Sequence, residues 1–509
     1  MNRPSITMPT LLVGTLGGVA IGLGGAPFEA QGVALVGVML VYAALRTQSA
    51  LEGRSPLRHA MLLGLAVGFA ANATTCAWVS DLLHSYAFMP WPVAWLVASL
   101  LFLAQSLPFV VAALLTRALG TQIFPLAVVA SSSAMPMIFP WRIGISQMGF
   151  LPFVQLAELG GLALVDFALA LLAMLLVEAL MHARPRARAA SLSSAVLLFA
   201  GIAFWGTARI DEVQQMRASQ PVLRVGLVQH NIDIPARMQP ELWPMQMEST
   251  WSLTRTLEAA HVDVVMWPES AFPWFVDRYA LAQLPSDMAL ESEGVEGPIL
   301  FGASSWASQE ERYNTVLLVT RTRFLGLVDK TRLMPFSERI PLWRWLIFLH
   351  PFIGPGLSEG PVEGGTLRIP LRGDRDAVAG ILNCYEDLMD DHVQRVARQS
   401  PDFLSNHTND AWFGPTRAPT LHHFLARMRA IETRRDVVRT VNTGVSGHIS
   451  ATGESLMTTE PFTTQTRIAE VRLARGMTLW VWLGDWVTPL CFVWLLGAVW
   501  NRRRSARRP

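Results

Sequence analysis

Apolar and polar positions divide this chain into a long apolar beginning, a mixed middle and a short apolar end. Apolar stretches run near 8–25, 30–47, 58–80, 90–116, 122–140, 158–181 and 192–208, and one more, 478–500, closes the chain. Most approach the roughly 17 to 25 residues a helix needs to cross a bilayer. Between them the pattern changes. Short β-rich runs recur at 222–229, 262–268, 298–304, 314–320, 378–384 and 437–444, and several are followed by segments with one apolar helical face, such as "ELWPMQMESTWSLTRTLEAA" and "HHFLARMRAIETRR". Alternating strands and helices predict a layered α/β domain. The expected organisation is a bundle of seven spans over 1–210, a domain over 220–475, a last span over 478–500 and a basic tail over 501–509.

Charge supports the spans and orients them, because Lys and Arg in short loops stay on the cytoplasmic side. Arg3 precedes the first span; Arg46, Arg54 and Arg58 lie between the second and third; Arg117 follows the fourth; Arg184, Arg186 and Arg188 follow the sixth; "NRRRSARRP" follows the last. The alternate loops carry Glu29 and Asp81, with Arg142 as the exception. Both termini are therefore expected in the cytoplasm and the 220–475 domain on the opposite face, the periplasm of a bacterium. The basic start and Gly/Ala-rich first span are also compatible with a signal peptide; six further spans favour a retained helix.

Composition agrees, with 51% hydrophobic and only 16% charged residues against about 25% charged in soluble domains. A net charge of +2 gives no reason to expect nucleic acid as a partner. The three cysteines are Cys76, Cys384 and Cys491, and two of them fall inside predicted spans. No disulfide framework is available.

Cys384 stands where the apolar run "VAGILN" meets the acidic "EDLMDDHVQRVARQ", which reads as a helix. A strand-to-helix elbow exposes a side chain to a cleft, and a helix N-terminus favours a thiolate. The residue is either a nucleophile or a small buried hydrophobe. A nucleophile needs a base and a group to stabilise the oxyanion. Glu269, in "VVMWPESAF", and Lys330, in "LGLVDKTRLMPFSE", each follow a strand-like run, and Lys330 is the only lysine in the sequence. Taken singly, each reads more readily as a surface residue than as a catalytic one.

Together, "WPES", "DKTRLMPFSE", "NCYE", "TNDAWFG" and "RMRAIETRRDVVRTVNTGVS", in this order, resemble the carbon-nitrogen hydrolase (nitrilase) superfamily. With eight flanking spans, the chain is similar over its whole length to the membrane-bound branch, the apolipoprotein N-acyltransferases. The resemblance implies a polytopic helical membrane bundle carrying a periplasmic αββα sandwich. It implies Glu269 as general base, Lys330 as the cation at the tetrahedral intermediates and Cys384 as the nucleophile. It also implies supporting roles for Glu338, Tyr385 and Glu386, the Tyr385 N–H being an oxyanion donor. Departures are Ser337 where the family has Gly, Val328 where an aromatic is usual, and His230 where a small residue is usual.

The implied reaction moves an acyl chain from a phospholipid, through a Cys384 thioester, to the free α-amino group of a diacylglyceryl-cysteine at an apolipoprotein N-terminus. Burying a CH₂ contributes roughly 0.8 kcal/mol, so lifting a whole acyl chain into water would cost on the order of 10 kcal/mol, and a bilayer-facing site avoids that. The aromatic segment 340–360 reads as a lipid-facing lid or as a buried insertion. No metal or cofactor enters this cycle, and His407, His422, His423 and His448 lack ligand spacing. Arg427, Arg429, Arg434, Arg435 and Arg439 read as lipid-phosphate contacts or as an ion-paired helix face. "SNHTNDAWFG" reads as a loop beside the elbow. Without coiled-coil heptads, a monomer is expected. The rivals are a membrane-anchored amidase that uses water as acceptor, and a non-catalytic lipid- or lipoprotein-binding protein. Ionisable groups in spans, Glu158, Asp166 and Glu178, are costly, and the sequence gives Asp166 no role.

Overall fold

The computed structural model describes residues 8–50, 56–278, 295–308, 311–321, 323–340, 356–371 and 375–506. Two compact units result: one comprises the chain up to Glu212, Thr416–Met428 and the segment from Leu483 on, the other Val213–Pro415 and Arg429–Trp482. Residues 341–355, most of the expected lid, lie outside the described residues.

The first unit is helical: α1 (Met8–Gly22), α2 (Gln31–Ala50), α3 (Pro56–Cys76), α4 (Trp78–Ser85), α5 (Trp91–Ala104), α6 (Leu107–Leu119), α7 (Phe124–Ala134), α8 (Leu151–Val154), α9 (Ala157–Met181) and α10 (Pro185–Ala218). Among the described residues, four stretches, Pro56–Cys76, Trp91–Leu119, Ala157–Met181 and Pro185–Ala218, are long and apolar enough to cross a membrane. The 122–140 run yields only α7, since Pro136 and Pro140 disfavour a continued helix. Within α9 the pair Gly160–Gly161 breaks the helix, Gly161 at φ 64°, a conformation that favours glycine.

The costly carboxylates of these helices each have an arginine. Glu178 accepts from Arg46 at 2.8 Å and from Tyr42 at 2.7 Å, and Glu158 accepts from Arg209 at 2.8 Å. Asp166, fully buried, takes the Gly144 N–H at 2.7 Å and lies 3.7 Å from Arg142. Pairing of this kind makes a buried charge tolerable.

The second unit is built on two sheets. Its elements are β1 (Val222–Gln229), α11 (Ile234–Arg237), α12 (Trp243–Ala259), β2 (Val264–Met266), β3 (Phe272–Asp277), β4 (Ile299–Trp306), β5 (Arg312–Val319), β6 (Phe324–Asp329), β7 (Gly365–Leu371), β8 (Arg375–Asn383), α13 (Asp390–Arg398), β9 (Phe403–Thr408), α14 (Ala418–Thr433, whose first part belongs to the helical unit), β10 (Val437–Val441), β11 (Gly447–Ile449), β12 (Ser455–Thr458), β13 (Gln465–Arg472) and α15 (Leu479–Leu483). The closing helix α16 (Val487–Ala506) returns to the helical unit.

One sheet runs β13-β1-β2-β4-β5-β6 with β3 beside β4, and the other runs β12-β11-β10-β9-β8-β7. Period-two alternation sorts the side chains between layers. Leu223, Val225 and Leu227 of β1, Val264 and Met266 of β2, and Val316 and Leu318 of β5 meet Ala377, Ala379 and Ile381 of β8, Phe403 and Val438 in the core between the sheets. Their neighbours Val265, Phe301, Leu317 and Val319 face outward and pack with Met247, Trp251 and Leu257 of α12. On the second sheet, α13 approaches closely because residue 380 is glycine; a Cβ there would come within 2.9 Å of Val396. Helix, sheet, sheet and helix layers follow.

Two local expectations need correction. The helix after Cys384 does not begin at Glu386: a 3-10 turn, Cys384–Leu388, and an extended Met389 come first, and α13 starts at Asp390. "SNHT" is not loop but the buried end of β9, paired with β8 and β10. Its polar side chains satisfy one another inside the sandwich, Ser405 Oγ and His407 Nε2 being 2.9 Å apart.

Candidate active site

Glu269, Lys330 and Cys384 all stand just beyond strand ends, those of β2, β6 and β8. The strand β2 ends at Met266 and the chain turns through Trp267 and Pro268 to Glu269. That turn lies directly on β4, which only a glycine permits, since a Cβ on Gly302 would come within 2.6 Å of Glu269 Cα. Lys330 follows β6, its N–H donating to the Asn314 carbonyl at 2.8 Å. Cys384 heads the 3-10 turn with φ 52°, a left-handed conformation that costs a non-glycine residue about 1–2 kcal/mol.

The lysine is the centre of the cluster. Its Nζ donates to Glu269 Oε1 at 2.9 Å and to Glu338 Oε1 at 2.8 Å, and the side chain is 2% exposed. Burial alone would push the ammonium down, but Glu269 and Glu338 outweigh it and hold Lys330 well above the usual lysine range. Glu269 also accepts from Asn314 Nδ2 at 2.7 Å and, through Oε2, from the Asn409 N–H at 3.0 Å. Glu338 Oε2 takes the Met334 N–H at 2.8 Å. Both carboxylates are thereby fixed before any substrate arrives.

The elbow is held as firmly. Glu386 accepts from the N–H groups of Thr331 at 2.6 Å, Arg332 at 3.0 Å and Asn383 at 2.8 Å, so it joins the lysine loop to the cysteine turn. Burial raises its carboxyl, but His392 at 3.4 Å and the N–H groups of Arg332 and Asn383 prevail and keep it below the usual range. Asp387 pairs with Arg439 of β10, both side chains fully buried, and Asn406 Nδ2 donates to the Cys384 carbonyl at 3.2 Å. Tyr385 is buried, which raises its phenol; its backbone N–H is next to the cysteine.

Cys384 retains some exposure, unlike Cys76 and Cys491, which are buried. Burial of its surroundings, then the Glu269 carboxylate, push the thiol well above its usual range, and Lys330 only partly opposes them. The short 3-10 turn offers little of the helix-terminal stabilisation expected from the sequence. The surroundings of Cys384 therefore favour the thiol over the thiolate.

The structure thus brings Glu269, Lys330 and Glu338 into direct contact, places Glu386 where it ties two loops together, and puts Cys384 within the field of all three charges of the lysine cluster. Sequence reading missed Asn314, which donates to Glu269 and to Glu338 at 3.2 Å and accepts from Asn383 Nδ2 at 3.0 Å. Its signal was a single amide entering the apolar strand β5. His230 is a core residue, its Nδ1 3.3 Å from Thr250 Oγ1 and its pKa pushed down to about 3 by burial. His407 bridges the two sheets through the Trp267 carbonyl at 2.8 Å, and His448 lies 2.8 Å from Asp436. Among the arginines of 427–439, Arg429 pairs with Glu432 at 3.1 Å, Arg427 with Glu29 at 3.7 Å and Arg439 with Asp387, and Arg435 donates to the backbone carbonyls of Thr433 and Gly476 at 2.8 Å.

Comparison with known proteins fits this layout. Residues 224–478 match the carbon-nitrogen hydrolase family and residues 17–175 the apolipoprotein N-acyltransferase N-terminal domain. The chain is 32% identical to the apolipoprotein N-acyltransferase of Azotobacter vinelandii over 100% of this chain and 97% of that one. It is 29% identical to the Geobacter metallireducens protein of the same name, over 85% of each, and 28% identical to that of Vibrio vulnificus, over 94% of each. With its apolar helices and its nitrilase-like sandwich, the chain is an inner-membrane protein that belongs to the apolipoprotein N-acyltransferase family.

Proposed function

We propose that this protein transfers a fatty acyl chain from a phospholipid to the α-amino group of a diacylglyceryl-cysteine at the N-terminus of an apolipoprotein, through a thioester on Cys384. The observation that carries this reading is the buried Lys330 ammonium held by two carboxylates beside a strained, partly exposed cysteine.

In the first half-reaction Glu269 takes the Cys384 proton as the sulfur adds to the ester carbonyl. The oxyanion is held by Lys330 and the Tyr385 N–H; the C–O bond then breaks, and the protonated Glu269 returns the proton to the departing lysophospholipid alkoxide. In the second half the acceptor amine adds to the thioester, Glu269 accepts a proton from nitrogen, and the C–S bond breaks to leave an amide and a thiolate that Glu269 reprotonates. Glu338 keeps the lysine charged and aimed, Asn314 fixes both carboxylates, and Glu386 sets the distance between loop and elbow. A base with fixed partners suits a high-pKa thiol, because proton and charge move within one prearranged cluster.

The reading includes eight spans, a 220–475 domain in the periplasm and cytoplasmic termini, supported by the alternation of arginine-bearing loops. Incubating the purified full-length protein with phospholipid alone should add the mass of one acyl chain to Cys384 in a hydroxylamine-labile form. A diacylglyceryl peptide with a free amine should then remove it and gain the same mass. Discharge by water only would make the protein a lipid hydrolase, and no adduct with any phospholipid would overturn the proposal.

A further inference from the structure

The cations around the candidate active site differ in how their charge is met. Lys330 has Glu269 and Glu338, Arg332 pairs with Asp391, and Arg339 pairs with Glu359. Arg237 breaks this pattern. It ends the short helix α11, and its Nη1 and Nη2 donate to the backbone carbonyls of Ala271 at 3.4 Å and Phe272 at 3.1 Å. Among the described residues no carboxylate stands within ion-pairing distance of it. Burial pushes the guanidinium down to about 10 with no countercharge opposing, so it is still charged at neutral pH.

Topology puts this charge beside the base. Strands β1 and β2 run parallel, so α11, which follows β1, and Glu269, which follows β2, emerge at the same edge of the sheet. Ala271 comes two residues after Glu269, a separation of at most about 7 Å. His230, at the end of β1, adds no charge of its own: burial and then the Arg237 charge push it down to about 3. The position of α11 is fixed from α12, where Trp243 Nε1 donates to the Arg237 carbonyl and Gln246 Nε2 to the Ala236 carbonyl, both at 2.9 Å. Outside it, Met238 and Met245 are each 65% exposed. A neutral amide would satisfy two carbonyls without the cost of half-burying a charge. Carbonyl dipoles leave the guanidinium unneutralised and with N–H donors to spare, and the partner that completes it is an anion.

We infer that Arg237 is the subsite for the phosphate of the phospholipid acyl donor, its free N–H groups donating to the phosphate oxygens. The inference rests on the acyl-transfer reading and specifies its donor side. A guanidinium matches phosphate in charge and in fork geometry. The phosphate of a glycerophospholipid sits one short glycerol arm from its ester carbonyls, so a phosphate on Arg237 leaves an ester in the neighbourhood of Glu269, and the exposed methionines offer an apolar surface to the chains. The acceptor, a diacylglyceryl-cysteine, has no phosphate. Arg237 therefore serves the first half-reaction and not the second.

The test uses full-length protein in detergent micelles with two donors of the same acyl chain, dipalmitoyl phosphatidylethanolamine and the phosphate-free ester p-nitrophenyl palmitate. Both give the same palmitoyl adduct on Cys384, read by intact mass in single turnovers. Arg237→Gln should raise the half-saturating concentration of the phospholipid roughly tenfold or more, as loss of a charged hydrogen bond does, and so shift the preference between the two donors by the same factor. Arg237→Lys, which keeps the charge, should restore most of that preference. Discharge of the palmitoyl adduct by a diacylglyceryl peptide should run at the wild-type rate in both variants. An equal loss with both donors, accompanied by slower discharge, would show that Arg237 only holds the Glu269 turn and would overturn the subsite while leaving acyl transfer intact. Inorganic phosphate that inhibits both donors equally in the wild type, and neither in Arg237→Gln, would make this a site for free phosphate and overturn the donor assignment. A wild-type protein that forms the adduct from neither donor overturns the acyl-transfer reading itself, and the subsite with it.

Discussion

Two buried ion clusters flank the turn of Cys384, and they differ in charge balance. On one side Arg439 meets Asp387, one cation to one carboxylate, both fully buried. On the other, Lys330 meets two carboxylates, Glu269 and Glu338. A balanced pair can be replaced by apolar groups of the same shape with little loss; it fixes where the turn lies. An unbalanced cluster holds a formal excess of negative charge next to a thiol that it makes harder to ionise. Such an arrangement is poor for stability and well suited to accepting a proton. Under the proposed mechanism, the first cluster serves the fold and the second the chemistry.

The widest gap between the two should come from the group that separates them. Cys384→Ala is expected to remove acyl transfer and the acyl adduct altogether, while Cys76→Ala and Cys491→Ala leave both nearly intact. A gel-shift assay of the acceptor peptide reads this directly. Loss of transfer in either control variant, with the protein still folded, would contradict the assignment of the nucleophile.

Breaking the balanced pair should cost stability first. Asp387→Asn leaves the Arg439 guanidinium buried without its countercharge, a change worth about 3–5 kcal/mol, visible as a lower thermal midpoint in detergent. Replacing both, Asp387→Leu with Arg439→Met, should recover most of that loss. If the double variant is also active, the pair only places the turn. A double variant that is stable but inactive would move Asp387 into the chemistry and dissolve the contrast.

Much of this site was legible in the sequence. Carboxylate, ammonium and thiol each follow an apolar run, and strands ending at one edge of a sandwich deliver such residues to a common cleft. What joins them was less legible. Asn314, Asn409 and Asn406 act through amides and backbone N–H groups from strands or turns distant in the chain, and no local period marks such a residue. Strand β9 was hidden because "SNHT" has turn-forming residue types whose partners lie across the sheets. The strand β13 was missed for the opposite reason: "QTRIAEVR" buries only alternate residues, and its charges mask the period. Among the helices, the glycine pair in α9 and the prolines after α7 interrupt apolar runs that composition alone reads as continuous. Hydrophobicity reports the solvent a segment prefers, not whether its backbone stays helical.

The unbalanced cluster is sharpened by Lys330→Arg, which preserves charge and changes shape. A planar guanidinium cannot occupy the point held by Nζ between two carboxylates 2.9 and 2.8 Å away. Transfer should fall about 10²- to 10³-fold, the usual cost of losing one oxyanion donor, with the thermal midpoint little changed. Single-turnover rates for adduct formation and for its discharge should both fall, since the same oxyanion charge develops in each half-reaction. A defect confined to discharge would mean that Lys330 handles the acceptor amine and not the oxyanion.

The smallest effect lies at the residue that links the two clusters. Glu386 stands between the lysine loop and the cysteine turn, and its folded-state pKa is lowered from 4.5 because His392 and the N–H groups of Arg332 and Asn383 outweigh burial. A carboxylate with a lowered folded pKa contributes stability that is fully present above its unfolded pKa and is lost as pH falls through the folded value. The wild-type protein should therefore lose stability progressively below about pH 4.5. In Glu386→Gln that portion of the acid limb should flatten, because no proton is taken up at this position, while the midpoint near neutral pH drops modestly through weaker acceptance from Thr331, Arg332 and Asn383. Thermal midpoints measured from pH 3 to pH 8 separate the two contributions. An unchanged acid limb would show that Glu386 does not ionise between the folded and unfolded states in this range, and the link between the clusters would then rest on its hydrogen-bond geometry alone.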